Sequence, residues 1–143
     1  VGCRRSRKDV CLLLNGDIGS SGSGRKEVTR ADVDAILKEA EEKHLVTRPF
    51  RNDSRTDVDG SCFCCDDCCG YFSDPNETCD KGAMIEKTRI EDCSDCGACA
   101  EVCYFRARKM ADGKLVIDHE QCYGCGLCRD VCRTDCIEMF PRP

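Results

Sequence analysis

Three features of the sequence predict an α+β fold made of two small modules. One cysteine spacing occurs twice toward the C-terminal end, a single amphipathic helix stands near the N-terminal end, and a cysteine-dense stretch lies between them. The expected boundary puts the helix and the cysteine-rich stretch in residues 1–83 and the repeated motif in residues 84–143.

Composition explains why cysteine matters. Seventeen of the 143 residues are cysteine, against no tryptophan, five phenylalanines and three tyrosines. Apolar burial alone then builds only a modest core, and small domains in that position add disulfides or metal. Metal is the expectation, because an odd cysteine count leaves a thiol over in any full pairing. The apolar run "CLLL" at residues 11–14 is also too short for a secretory signal, and no run approaches the roughly 20 residues that span a bilayer. A soluble protein of a reducing, anaerobic cytoplasm is expected.

The formal net charge is −5. Residues 1–88 hold 14 basic and 17 acidic residues, and residues 89–143 hold 8 and 10, so both parts are acidic. Nucleic acid is excluded as a partner, since no basic surface neutralises a row of phosphates. A negative surface suits docking to basic patches on redox proteins.

Taken in order, residues 1–14 place Cys3 and Cys11 around the basic residues Arg4, Arg5, Arg7 and Lys8. The stretch "NGDIGSSGSGRK" at 15–26 lacks the Gly-Lys-Ser/Thr ending of a phosphate loop and is expected to be a flexible turn. A helix follows. Thr29 and Asp32 form its start signal, Val33, Ile36, Leu37 and Ala40 make the apolar stripe, Leu45 lies near its end and Pro49 stops it. His44 is expected on the surface near the helix end, where the helix dipole favours it. Residues 51–61 are polar and are expected to be a loop. Cys62, Cys64, Cys65, Cys68 and Cys69 then crowd into eight residues, and Cys79 follows.

Cys93, Cys96, Cys99 and Cys103 read C-x2-C-x2-C-x3-C, and Cys122, Cys125, Cys128 and Cys132 repeat this spacing 29 residues later. Gly97 and Gly126 follow the second cysteine of each run, where glycine lets the backbone bend and aim N–H groups at sulfur. Asp112-Gly113 marks the turn of a hairpin, and the segments "AMIEKTRI" and "CIEMF" are expected to pair as terminal strands. Two zinc sites would need separated CxxC pairs instead of three cysteines in one loop.

On these residues the part from about 84 to 143 resembles the bacterial-type 2[4Fe–4S] dicluster ferredoxins. The resemblance implies a ferredoxin-like pseudo-twofold domain of two small hairpins and short helices, holding two [4Fe–4S] clusters. It implies crossed ligand sets: Cys93, Cys96, Cys99 and Cys132 for one cluster, Cys122, Cys125, Cys128 and Cys103 for the other. The crossing has a physical reason, since a tight loop that presents three thiolates cannot also close over the fourth iron. The family usually has proline after the fourth cysteine, and Tyr104 and Arg133 stand there in this chain. Cys136 occupies a position that is commonly small and is expected to be a free thiol near a cluster. Tyr104 and Tyr123 are expected to shield the clusters from water.

Residues 1–72 are similar to a cysteine-rich module that precedes dicluster ferredoxin domains in some redox proteins of anaerobes, with Asp67 where that pattern has cysteine. Cys3, Cys11, Cys62, Cys64, Cys65, Cys68 and Cys69 are therefore candidates for one further centre, a third iron–sulfur cluster in preference to zinc. The expected function is single-electron transfer at low potential, as a carrier rather than an enzyme, within a larger redox complex. The alternative is a cysteine- or cluster-based reductase, with the N-terminal thiols reacting and the ferredoxin part supplying electrons. A redox or metal sensor is a third reading.

Overall fold

The structure is a computed structural model that describes residues 3–6, 11–14, 25–52, 54–67, 69–74, 76 and 80–143. The glycine-rich stretch from 15 to 24, Cys68 and Cys79 lie outside the described residues. The chain divides into two compact units, Val1–Cys68 and Cys69–Pro143. The division falls earlier than the 83/84 boundary expected from composition.

In the first unit, α1 (Arg30–Glu42) begins with a reciprocal cap: the Asp32 N–H donates to Thr29 Oγ1 (3.2 Å) and the Thr29 N–H to Asp32 Oδ2 (2.8 Å). It ends where His44 takes φ +50°, five residues before Pro49, which instead sits inside a strand. Ile36 and Ala40 are buried, with Leu45, Val46, Phe63 and Cys65, while Leu37 is exposed. The stripe facing the core is thus narrower than the periodicity implied.

Three strands form an antiparallel sheet in the order β1-β3-β2: β1 (Cys11–Leu13), β2 (Val46–Arg51) and β3 (Val58–Cys64). The expected loop over 51–61 is therefore corrected, since Val58 to Ser61 belong to the central strand. Its polar residues hid it: strand pairing satisfies the backbone whatever the side chains. Pro49 lies in β2, an edge strand, where a missing N–H is tolerated.

In the second unit each half of the repeat has the same parts 29 residues apart. The first half has β4 (Met84–Thr88), a 3-10 turn (Ile90–Asp92), α3 (Ala98–Glu101) and β5 (Arg108–Ala111). The second has β6 (Lys114–Ile117), a 3-10 turn (His119–Gln121), α4 (Leu127–Asp130) and β7 (Ile137–Pro141). β4 pairs with β7 and β5 with β6, both antiparallel. Asp112 and Gly113 both take positive φ at the β5–β6 turn, as a two-residue type I′ hairpin requires.

Residues 69–74 belong to this unit because of their rings. α2 (Gly70–Ser73) brings Phe72 to 5.1 Å from Phe105, which stacks on Tyr123 at 3.9 Å. Tyr71 Oη donates to Tyr123 Oη (3.0 Å). Between the β5–β6 hairpin and the β4–β7 pair, Cys99, Cys128 and Cys136 are buried with Ile137, and Leu115 and Val131 pack against them.

The first unit tolerates little change at Gly60. A Cβ there would stand 2.2 Å from the Leu12 carbonyl oxygen and 2.4 Å from the Phe50 ring. Gly60→Ala is expected to destabilise this unit by about 1–3 kcal/mol through overpacking, read as a lower urea midpoint of the full chain.

Candidate metal centres

The repeat turns each cysteine run around a loop that ends on a short helix. Gly97 (φ +79°) and Gly126 (φ +83°) are the caps of α3 and α4, in a left-handed conformation that any other residue adopts at a cost. This bend points the N–H of Ala98 at the sulfur of Cys96, which lowers that thiol's pKa with help from the Ser94 hydroxyl. Asp95 pins the first loop: it accepts from the Leu115 N–H (2.9 Å) and from Lys114 Nζ (2.7 Å). Arg142 pins the second, donating from Nη2 to the Cys122 carbonyl (2.9 Å).

Two cavities result. The first is lined by Cys93, Cys96 and Cys99 of the first run and Cys132 of the second. The other is lined by Cys122, Cys125 and Cys128 of the second run and Cys103 of the first. Each cavity thus gathers three thiols from one loop and one from the other. Among the described residues no three His, Cys, Asp or Glu side chains converge as on a single metal ion.

The electrostatics of the walls differ. Burial pushes the Cys128 thiol up to about 12, although the Arg108 guanidinium pulls the other way. Burial also raises Cys103, against hydrogen bonds from the N–H groups of Arg108 and Ala107. At Cys132 burial is outweighed by donors from Cys136 and Thr134, and the thiol is lowered. Cys136 itself is raised by burial; its sulfur lies 3.6 Å from that of Cys132, at the wall of the first cavity. The donor set fits an iron–sulfur cluster in chemistry: four thiols around a volume, with N–H groups aimed at sulfur.

Two charged residues were not singled out by the sequence. Glu86 and Arg108 are each 3% exposed, and their side chains pair at 2.7 Å beside the second cavity. Burial opposes the charge of Arg108, but the Cys128 thiolate and Glu86 outweigh it and raise its pKa. Strand alternation offers no signal for such a pair, since Arg108 lies in a run of basic residues that reads as a solvated hairpin. Tyr123 and Phe105 also line the second cavity; Tyr104 is buried beside them.

The first unit holds its thiols in two groups. Cys11 and Cys62 are direct cross-strand partners, and the Cys11 thiol donates to Cys62 Sγ (3.2 Å). Hydrogen bonds from Cys11 and Cys64 depress Cys62 to about 3, against burial. Cys3 Sγ and Cys65 Sγ are 3.6 Å apart, and burial raises Cys65. Asp67 holds the N-terminal segment, accepting from the Arg4 N–H and from Arg4 Nε, both at 2.7 Å. Cys69 is grouped with the second unit. His44 is part-exposed at the end of α1.

Residues 92–136 match the family model of the 4Fe-4S dicluster domain. Among curated proteins none matches the chain. The domain match supports iron–sulfur clusters as the cofactor of this part of the chain, and electron transfer as its role. No described helix is long and apolar enough to cross a membrane.

A thiol depressed to about 3 stays ionised until the pH falls to that value, whereas a raised one ionises only as the pH climbs past its ordinary range. In iron-free protein, iodoacetamide at about pH 6 should therefore modify Cys62 faster than Cys65. The Cys62 rate should stay flat up to about pH 8 while that of Cys65 rises. Peptide mass spectrometry reads both; parallel pH curves would contradict the depressed thiol.

Proposed function

We propose that the chain is an electron-transfer protein that holds two [4Fe–4S] clusters on crossed ligand sets. Cys93, Cys96, Cys99 and Cys132 would hold one, and Cys122, Cys125, Cys128 and Cys103 the other. The observation that carries this reading is the lining of the two cavities, three thiols from one run and one from the other in each. The domain match at 92–136 supports it independently. Bound there, such clusters supply reversible one-electron chemistry, commonly at low potential.

The residues of the chain do the rest. The eight thiols give up their protons to bind iron, so binding is also folding energy. The N–H groups of Ala98, Ala107 and Arg108 lie on sulfurs and stabilise negative charge there. Phe105 and Tyr123 stack at the wall of the second cavity, and Phe72 packs on Phe105. A net charge of −5 steers the chain to a basic face on a redox partner, and a larger redox complex is the setting we propose.

The first unit is proposed to hold a further centre, with Cys3, Cys11, Cys62, Cys64 and Cys65 as its described candidates; Cys68 lies outside the described residues and Cys69 begins the second unit. Its support is the approach of these thiols in two groups. A cysteine-based reductase is the second reading, favoured by the ionised Cys62 beside Cys11.

Iron analysis of anaerobically prepared protein tests these readings together. About eight irons per chain are expected from the C-terminal clusters, and about twelve if the first unit holds a third. Cys132→Ser should remove about four irons although Cys93, Cys96 and Cys99 remain, because the fourth donor comes from the other run. Full retention of iron in that variant would overturn the crossed sets. Iron chelation should also melt the second unit cooperatively by circular dichroism. A well-folded apo form would contradict the proposal that ligation stabilises it.

A further inference from the structure

One pair of thiols in the first unit is placed by the register of a sheet. β1 and β3 run antiparallel with Cys11 directly opposite Cys62. Three residues along, the Leu14 N–H donates to the Asp59 carbonyl (2.8 Å), which makes Leu14 and Asp59 a hydrogen-bonded pair. The two kinds of pair alternate along an antiparallel ladder, so Cys11 and Cys62 form a non-hydrogen-bonded pair. In such a pair the Cα atoms stand about 4.5 Å apart and the side chains approach most closely. A disulfide spans Cα separations of roughly 4.4–6.8 Å. The two backbones thus hold these sulfurs where a bond can form, and Cys11 Sγ lies 3.2 Å from Cys62 Sγ. Cys64 shares the face, but two residues along one strand is about 6.8 Å, the limit of that range.

The pair is also reachable. Cys11 is exposed and Cys62 half-buried. On its other side Cys62 stands opposite Arg48 of β2. A single row across three strands therefore carries thiol, thiol and guanidinium. Cys62 is flanked by a strand on each side, which suits a small molecule better than the surface of a folded protein.

We propose that Cys11 and Cys62 are a redox-active dithiol that reduces a small disulfide bearing carboxylates. The inference rests on the reductase reading of the first unit and takes these two thiols out of any metal shell there. Cys62, which accepts the hydrogen bond of Cys11, gives its own proton to water and attacks one substrate sulfur. The substrate S–S bond breaks, a mixed disulfide forms on Cys62, and the departing thiolate takes the Cys11 proton. The Cys11 sulfur then attacks Cys62 Sγ. The mixed disulfide breaks, and the second thiolate leaves and is protonated by water. The substrate gains two electrons and becomes two thiols; the cysteines lose two electrons and become one disulfide. Arg48 pairs with a substrate carboxylate while this happens.

The test uses the reduced, iron-loaded full chain and oxidised glutathione under anaerobic conditions. After alkylation of the remaining thiols, tandem mass spectrometry should find Cys11 joined to Cys62, with two glutathione thiols released for each bond formed. Cys11→Ser should stop at glutathione held on Cys62, and Cys62→Ser should slow consumption about tenfold or more. Arg48→Gln should slow oxidised glutathione about threefold and leave the cationic disulfide cystamine unslowed. Should a cysteine variant fail to fold, the bond mapped in wild type still decides. Cys62 joined to Cys64 or Cys65 instead, undiminished consumption by Cys62→Ser, or equal slowing of both disulfides by Arg48→Gln would overturn the proposal. Loss of about four irons from Cys62→Ser would instead make Cys62 a cluster ligand and overturn the reductase reading on which it rests.

Discussion

The second unit depends on a constraint that sulfur imposes. Cys99, Cys122, Cys128 and Cys136 are buried in its interior together with Val102, Tyr104, Ala107, Leu127 and Ile137. A thiol is a small hydrophobe, and burial raises its pKa, as at Cys128 and Cys103. An interior of this kind is poorly filled and reluctant to ionise until iron takes the place of the protons. Folding and metal binding are therefore linked in one equilibrium, and the short helices α3 and α4, each a single turn, have little stability of their own.

The repeat solves the geometric half of the problem. Each glycine-capped turn presents three thiols around one volume, and the antiparallel pairing of β4 with β7 and β5 with β6 brings the last cysteine of each run to the opposite volume. Duplication by itself yields two equal sites. Departures from equality then carry information: the ring group of Phe105 and Tyr123 and the pair Glu86–Arg108 all gather at the second cavity, while Cys136 stands only at the first. Water, charge and sulfur are thus distributed differently around two donor sets of the same kind.

The first unit reaches its cysteines by another route. Strand pairing puts Cys11 opposite Cys62, alternation puts Cys64 on the same face, and the Arg4–Asp67 clamp brings Cys3 to Cys65. Hydrogen bonds from Cys11 and Cys64 depress Cys62, whereas burial raises Cys65. The sheet fixes these contacts through Gly60, where the neighbouring backbone of Leu12 leaves no room for a side chain.

The sequence by itself determined the doubled cysteine spacing, the cap of α1 at Thr29 and Asp32, and the turn at Asp112-Gly113. Each rests on interactions within a few residues, where spacing and geometry are nearly the same thing. It did not determine that Val58 to Ser61 form a central strand, that Pro49 lies inside β2, or that α2 joins the second unit through Phe72. Those outcomes depend on partners tens of residues away, which local propensity does not contain. Arg108 and Glu86 are the clearest case. Both look like solvated strand residues, and only the closing of β4 on β7 beside the second cavity turns them into a buried pair facing sulfur, because charge at a given position acquires meaning from what excludes water around it.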